Sequence, residues 1–137
     1  MMKKLLFLIL LFPMTIFAQH KVTLHITNVK NTKGEIRAAL YTSKEDFLKF
    51  DKVFKAAAVK ATKGKTTFII ANIPPGTYAI AVFHDENSNE KLDTNFMGIP
   101  KEPLGFSIGK MKTFGPPSFK ECSFELDSHK EITIEIK

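Results

Sequence analysis

Apolar and polar residues alternate along most of the chain after residue 20. Val22, Leu24 and Ile26 are separated by polar residues within residues 21–29, and alternation of period two predicts a half-buried β-strand. The same kind of pattern predicts further strands at residues 35–42, 53–61, 65–73, 119–126 and 131–137. Residues 77–84 are apolar on both alternating faces, which predicts a central strand that is covered on both sides.

The segments between these strands carry turn and loop signals. Residues 31–34 and the Pro-Pro-Gly run at 74–76 predict turns. Ser43 has the character of an N-cap, so a short helical turn is expected at about residues 44–50. Residues 85–117 show no clear period, yet apolar residues recur through them. We therefore expect one long, ordered loop that folds over the edge of the sheets.

The number and spacing of the strands indicate the fold class. Residues 53–61 contain three consecutive alanines that also suit a helix, but the shortness of the segment and the Lys63-Gly64 turn favour a strand. About seven short strands with tight turns and one helical turn predict an all-β protein, an antiparallel β-sandwich with immunoglobulin-like or transthyretin-like topology. The sandwich is expected to form a single domain over residues 19–137.

The first 18 residues have the pattern of a secretory signal peptide. They contain two lysines, an apolar run and a small residue at Ala18, so cleavage would leave Gln19 as the first residue. The apolar run is short for a membrane span, and we expect the mature chain not to span the membrane. These features predict an extracytoplasmic location, in the periplasm or outside the cell.

Charge and cysteine content narrow the expected partners. The formal net charge is +6, and loss of the two leader lysines leaves about +4. The lysines are scattered, without an Arg-rich or aromatic-interleaved patch, which argues against nucleic acid as a partner. A basic surface favours anionic glycans or lipid headgroups. Cys122 is the single cysteine, so the chain cannot form an internal disulfide. An exported domain of this kind must be stabilised by its core, or by its core together with a bound metal.

A polar stretch follows the predicted central strand, at residues 84–93. Its oxygen-bearing side chains have the spacing of the first, third, fifth and ninth places of a calcium loop, where alternate residues direct hard oxygens at one point. The seventh place of such a loop supplies only a backbone carbonyl, so a lysine is acceptable there. The predicted calcium ligands are Asp85, Asn87, Asn89, Lys91 and Asp93.

This stretch departs from the calcium-loop pattern at two places. Glu90 stands at the sixth place, where glycine is usual because the backbone has a positive φ, and Phe96 stands at the twelfth, where a bidentate glutamate is usual. A strand rather than a helix precedes the loop, which argues against an EF-hand. The alternative is a solvated turn rich in Asn and Asp, since these residues bond nearby backbone groups.

Several linked motifs resemble one bacterial family. They are Gly76-Thr77-Tyr78-Ala79-Ile80-Ala81-Val82-Phe83-His84-Asp85-Glu86-Asn87, Asn89, Lys91-Leu92-Asp93, Asn95-Phe96, Gly98-Ile99-Pro100-Lys101-Glu102, Gly105-Phe106-Ser107 and Gly115-Pro116-Pro117-Ser118-Phe119. In this order they resemble the secreted family catalogued as domain of unknown function 2141, over essentially the whole mature chain. The resemblance implies an exported sandwich of the prealbumin or carboxypeptidase-regulatory kind with no assigned activity. Members of the family often carry glycine where this chain has Glu90.

The remaining candidate residues favour structural roles. His84 continues the inward face of the central strand and is expected to be buried and hydrogen-bonded, and Cys122 is expected to be inert packing. Ser107 and Ser118 lack the context of a nucleophile. The loop aromatic residues are expected to form a small satellite core, with a ligand groove as the alternative; they are Phe96, Phe106, Phe114 and Phe119.

These observations favour a non-enzymatic exported module that binds or presents an envelope or extracellular ligand, with calcium ordering its polar loop. Two alternatives remain open. One is an enzyme that acts on envelope glycans through carboxylates such as Asp85 and Glu102. The other is a small-ligand carrier of the transthyretin type.

Overall fold

The structure is a computed structural model that describes residues 18–137. The predicted signal peptide, apart from Ala18, lies outside the described residues. Eight strands and two short helices follow one another along the chain. They are β1 (His20–Val29), β2 (Glu35–Tyr41), a 3-10 helix (Phe50–Lys52), β3 (Lys55–Lys60), β4 (Gly64–Ile73), β5 (Gly76–Asp85), β6 (Leu104–Phe106), α1 (Phe119–Cys122), β7 (Phe124–Leu126) and β8 (Lys130–Glu135).

The strands form two sheets. The first sheet has the order β4-β1-β8, and the second has the order β3-β2-β5-β6, with β7 paired to the first residues of β5. The prediction of an all-β sandwich is confirmed, although β1 and β8 pair in parallel while the other pairs are antiparallel. Residues 53–61 contain a strand rather than a helix. Within residues 18–137, neither helix has the length and apolar character needed to cross a membrane.

The main core lies between the two sheets and is built by the alternation described above. The inward residues of β1, β2 and β5 are almost completely buried; they are Val22, Leu24, Ile26, Ile36, Ala38, Leu40, Tyr78, Ile80 and Val82. Burial of one large apolar side chain contributes about 1.5–3 kcal/mol. This packing holds β2 and β5 in register, and Asp85, the last residue of β5, pairs with Glu35.

A second, smaller core covers the opposite face of β5. Ala79, Phe106 and Cys122 are buried there, with Phe47 and Phe119 packed against them. The Phe47 and Phe119 rings meet edge to face, with centroids 5.9 Å apart. The prediction that β5 is covered on both sides is therefore confirmed around Ala79, whereas Ala81 and Phe83 further along the strand are half-buried.

The prediction of one strand over residues 119–126 is wrong. The segment forms α1 and then the short β7, because Ser118 and Glu121 make a capping box at the start of the helix. The Glu121 carboxylate accepts from the Ser118 N–H at 2.7 Å. At the helical turn expected at about residues 44–50, the structure has turns at residues 44–48, with the Asp46 N–H donating to Ser43 Oγ at 3.3 Å, and then the 3-10 helix Phe50–Lys52.

Candidate functional site

The polar loop at residues 85–93 is built around the buried carboxylate of Asp85. This side chain is 0% exposed. Its Oδ2 accepts from Arg37 Nε at 2.9 Å and from the Glu90 N–H at 2.8 Å, and its Oδ1 accepts from the Asn89 N–H at 3.1 Å. Asp85 thus stabilises the turn by bonding its backbone, and a guanidinium balances its charge.

Arg37 connects this loop to the neighbouring strand. Its Nη2 donates to Glu35 at 2.6 Å and to Glu90 at 3.3 Å, in addition to the bond from Nε to Asp85. Sequence reasoning missed this residue. It is the only arginine of the chain, in a sequence that otherwise uses lysine. The planar guanidinium of arginine can bond several carboxylates at once, which lysine cannot do as well, so a single arginine could have indicated a structural ion pair.

The structure brings together three of the five predicted calcium ligands. Asn87 Nδ2 donates to one oxygen of Asp93 at 2.6 Å, and Asn89 Nδ2 donates to the other at 2.8 Å. The Lys91 N–H donates to Asn89 Oδ1 at 3.0 Å. The carboxylate of Asp85 instead bonds Arg37 and the N–H groups of residues 89 and 90. In residues 18–137, no group of three or more His, Cys, Asp or Glu side chains is arranged to hold a metal ion.

The backbone at Glu90 adopts the conformation that the sixth place of a calcium loop requires. Its φ is 66°, in the left-handed region. That conformation costs a non-glycine residue about 1–2 kcal/mol. The Glu90 N–H bonds Asp85 and its carboxylate meets Arg37, and these contacts offset the cost. The absence of glycine therefore does not prevent this turn.

Glu102 holds the two ends of the loop from outside it. Its Oε1 accepts from the Glu86 N–H at 3.2 Å, and its Oε2 accepts from the Asp93 N–H at 3.0 Å. Burial raises the pKa of Glu102, and the negative charge of Asp93 adds to the effect. Glu102 lines a polar concavity of about 400 Å³, together with Glu86, Asn87, Asp93, Thr94 and Lys101.

His84, the Ser107 hydroxyl and Cys122 make structural contacts. His84 is fully buried, and its Nε2 lies 2.6 Å from the Lys33 carbonyl oxygen, so the prediction of a buried, hydrogen-bonded histidine is confirmed. Ser107 Oγ accepts from the Ile80 N–H at 3.0 Å and donates to the Cys122 carbonyl at 2.6 Å. Burial raises the pKa of the Cys122 thiol to about 11, as expected for inert packing.

An apolar groove of about 960 Å³ lies on the outer face of the second sheet. Its floor contains a row of alanines, because Ala39 pairs with Ala56 on one side and with Ala81 on the other. Each contributes a single methyl group, so the floor is low. Apolar residues from three loop segments form the walls; they are Leu48, Phe50, Val53, Leu92, Met97, Ile99, Met111, Phe114 and Pro116.

The four loop phenylalanines divide between two environments. Phe106 and Phe119 belong to the satellite core, as predicted. Phe96 and Phe114 are 97% and 98% exposed, and Phe114 lines the groove. The predicted satellite core is therefore confirmed for Phe106 and Phe119 and is wrong for Phe96 and Phe114.

Together the sheets, the polar loop and the groove define a two-sheet β-sandwich protein with an apolar concavity on the outer face of its second sheet. The chain belongs to a bacterial family: the family model described as "Uncharacterized protein conserved in bacteria (DUF2141)" matches residues 24–135. The resemblance drawn from the sequence motifs is therefore confirmed. Comparison with curated proteins and with solved structures gave no match.

Proposed function

We propose that this protein is a non-enzymatic binding module that acts outside the cytoplasm and holds an apolar small molecule in its groove. The observation that carries the proposal is the alanine row, Ala56-Ala39-Ala81, which leaves an apolar concavity where larger side chains would have filled the space. The leader pattern of residues 1–18 supports the location. Of the functions considered from sequence, the small-ligand carrier fits this groove best.

The size and lining of the groove favour a small molecule. Pockets for such ligands are mostly apolar, with volumes of about 300–1,000 Å³ and a few polar groups that set orientation. This groove has a volume of about 960 Å³, and its charged lining residues are Arg37, Glu90 and Lys112. The large exposed side chains at its edges, Phe114 and Met97, are also typical of a binding surface.

Filling the floor tests the proposal. We expect the wild-type protein to bind the neutral fluorescent probe N-phenyl-1-naphthylamine, and Ala56→Phe to weaken binding at least about tenfold, because the new ring occupies the floor. Ala56 is exposed, so the protein should remain folded. Ala71→Phe is the matched control, since Ala71 is an exposed alanine of β4 in the other sheet. Equal affinities in the two variants would contradict the proposal.

We also propose that calcium orders the polar loop. The proposed ligands are side-chain oxygens of Asp85, Asn87, Asn89 and Asp93 and the Lys91 carbonyl. Asp85 Oδ1 accepts one hydrogen bond, which leaves an oxygen lone pair for a cation. The positive φ at Glu90 supports the proposal.

Calcium titration tests this second proposal. At a calcium concentration about a hundred times Kd, binding raises the free energy of unfolding by about 2.7 kcal/mol. This change raises Tm by roughly 10 °C for a domain of this size. Asp93→Asn should lose most of this shift, and Asp127→Asn, an exposed aspartate outside the loop, should keep it. If calcium gives no calorimetric heat with the wild type, and Tm is the same in calcium and in chelator, the calcium proposal is wrong.

Glycan hydrolysis is not proposed, because the two candidate carboxylates are already engaged. Asp85 is enclosed and bonded to Arg37 and to the backbone. Both oxygens of Glu102 accept backbone N–H groups. A general acid or base must reach the substrate, and neither residue lines the groove.

A further inference from the structure

We infer that the ligand of the groove is a single-chain anionic amphiphile, with its hydrocarbon chain on the alanine floor and its head group beside Lys110 and Lys112. This inference rests on the proposed function, because it specifies the ligand of the same groove. It adds the chemical class of the ligand, the direction in which the ligand lies and the two lysines that recognise it.

The shape of the floor suits a linear chain. The row Ala56-Ala39-Ala81 crosses three strands, and neighbouring strands lie about 4.8 Å apart, so the low strip runs across the sheet for roughly 10 Å. Met97 and Met111 line the groove from two different loop segments. Their unbranched side chains adapt to ligands of different shape. These features favour a flexible hydrocarbon chain over a rigid ring system.

The charged groups of the groove place the anionic head at one end. Arg37 lines the groove, but its guanidinium already meets Asp85, Glu35 and Glu90, so this end carries no free positive charge for a ligand. The segment at residues 107–117 is different, because it contains two lysines and no acidic residue of its own, and its residues 111–116 line the groove. An anion is therefore attracted to that wall.

Lys112 lines the groove, and Lys110 lies two residues before it in the same segment but does not line the groove. Lys110 is exposed and makes no ion pair within the described residues 18–137. The Lys112 Nζ lies 2.8 Å from Glu121 Oε1. The two side chains of that pair are 53% and 43% exposed, and such surface pairs contribute little to stability. A head group must compete with the Glu121 carboxylate for Lys112, whereas Lys110 has no ion-pair partner among residues 18–137.

A competition experiment separates the charge from the apolar chain. Dodecanoate and 1-dodecanol, both below their aggregation concentrations, compete with N-phenyl-1-naphthylamine for the wild type and two double variants. Lys110→Gln/Lys112→Gln removes the wall charges. Lys63→Gln/Lys65→Gln removes the same charge from exposed positions at the start of β4. Urea unfolding verifies that both variants remain folded.

We expect dodecanoate to compete better than 1-dodecanol with the wild type. The wall variant should weaken dodecanoate about tenfold, as loss of charge-assisted contacts predicts, and leave 1-dodecanol unchanged; the control variant should change neither. Equal competition by both compounds, or equal loss in both variants, overturns the inference and leaves the apolar groove in place. Binding to vesicles of anionic phospholipid without competition by dodecanoate assigns the surface to a bilayer and also overturns it. If the wild type fails to bind the probe, the proposed function fails as well.

Discussion

Gly34→Ala is expected to lower the free energy of unfolding by about 4 kcal/mol or more, or to prevent recovery of folded protein. Gly34 has a φ of 61°, and a Cβ built there would overlap the carbonyl oxygen of Asp85. It would also lie 2.9 Å from the carbonyl carbons of Asp85 and Glu86. These are backbone atoms at the end of β5, and they cannot retreat without disturbing the pairing of β5 with β2.

Gly64→Ala is the matched control for this effect. Gly64 also has a positive φ, 86°, but its added Cβ would meet nothing within 4 Å. We expect only the cost of the left-handed backbone, about 1–2 kcal/mol. Urea unfolding of the two variants and the wild type measures the difference. Similar losses in both would show that the close approach of Gly34 to Asp85 has no energetic consequence.

Arg37→Met is expected to cost about 3 kcal/mol of stability. Removing one partner of a buried ion pair leaves a charge without compensation and costs about 3–5 kcal/mol. The Asp85 side chain is 0% exposed and that of Arg37 is 23% exposed, so we expect the lower end of this range. The two backbone N–H groups that also bond Asp85 would then be its remaining partners within the described chain.

Two further variants separate charge from geometry at this pair. Arg37→Lys keeps the charge but loses the fork that reaches three carboxylates, so an intermediate loss is expected. The double variant Arg37→Met/Asp85→Asn should be more stable than Arg37→Met, because no buried charge is left alone. Chemical denaturation measures all three. If Arg37→Met lowers the free energy of unfolding by less than about 1 kcal/mol, the Arg37–Asp85 pair contributes no more than an ordinary surface ion pair.

The polar loop and the groove share part of their lining. Arg37 and Glu90 hold the turn through Asp85, and both also line the groove, as does Leu92 of the same loop. A cation that orders the loop would therefore act on one end of the groove. Probe titration in the presence of calcium and of chelator measures this effect.

The strands were predictable because their signal is local. In β1 the inward apolar residues alternate with polar ones, in β2 the inward residues Ile36, Ala38 and Leu40 follow the same period of two, and the inward positions are buried in the structure. The burial of His84 followed from the same period. The error at residues 119–126 has a local cause too, since the capping box Ser118-x-x-Glu121 is readable in the sequence and takes precedence over alternation.

The sequence by itself determined the all-β class, the inward faces of the strands and the presence of an Asn- and Asp-rich turn after β5. Only the tertiary structure decided that Arg37 meets Asp85, that Glu102 closes the loop and that Ala39, Ala56 and Ala81 form one row. The physical reason is register. Alternation states which face a residue occupies, but the residue beside it on the next strand depends on how distant segments pair. The groove is a property of that pairing.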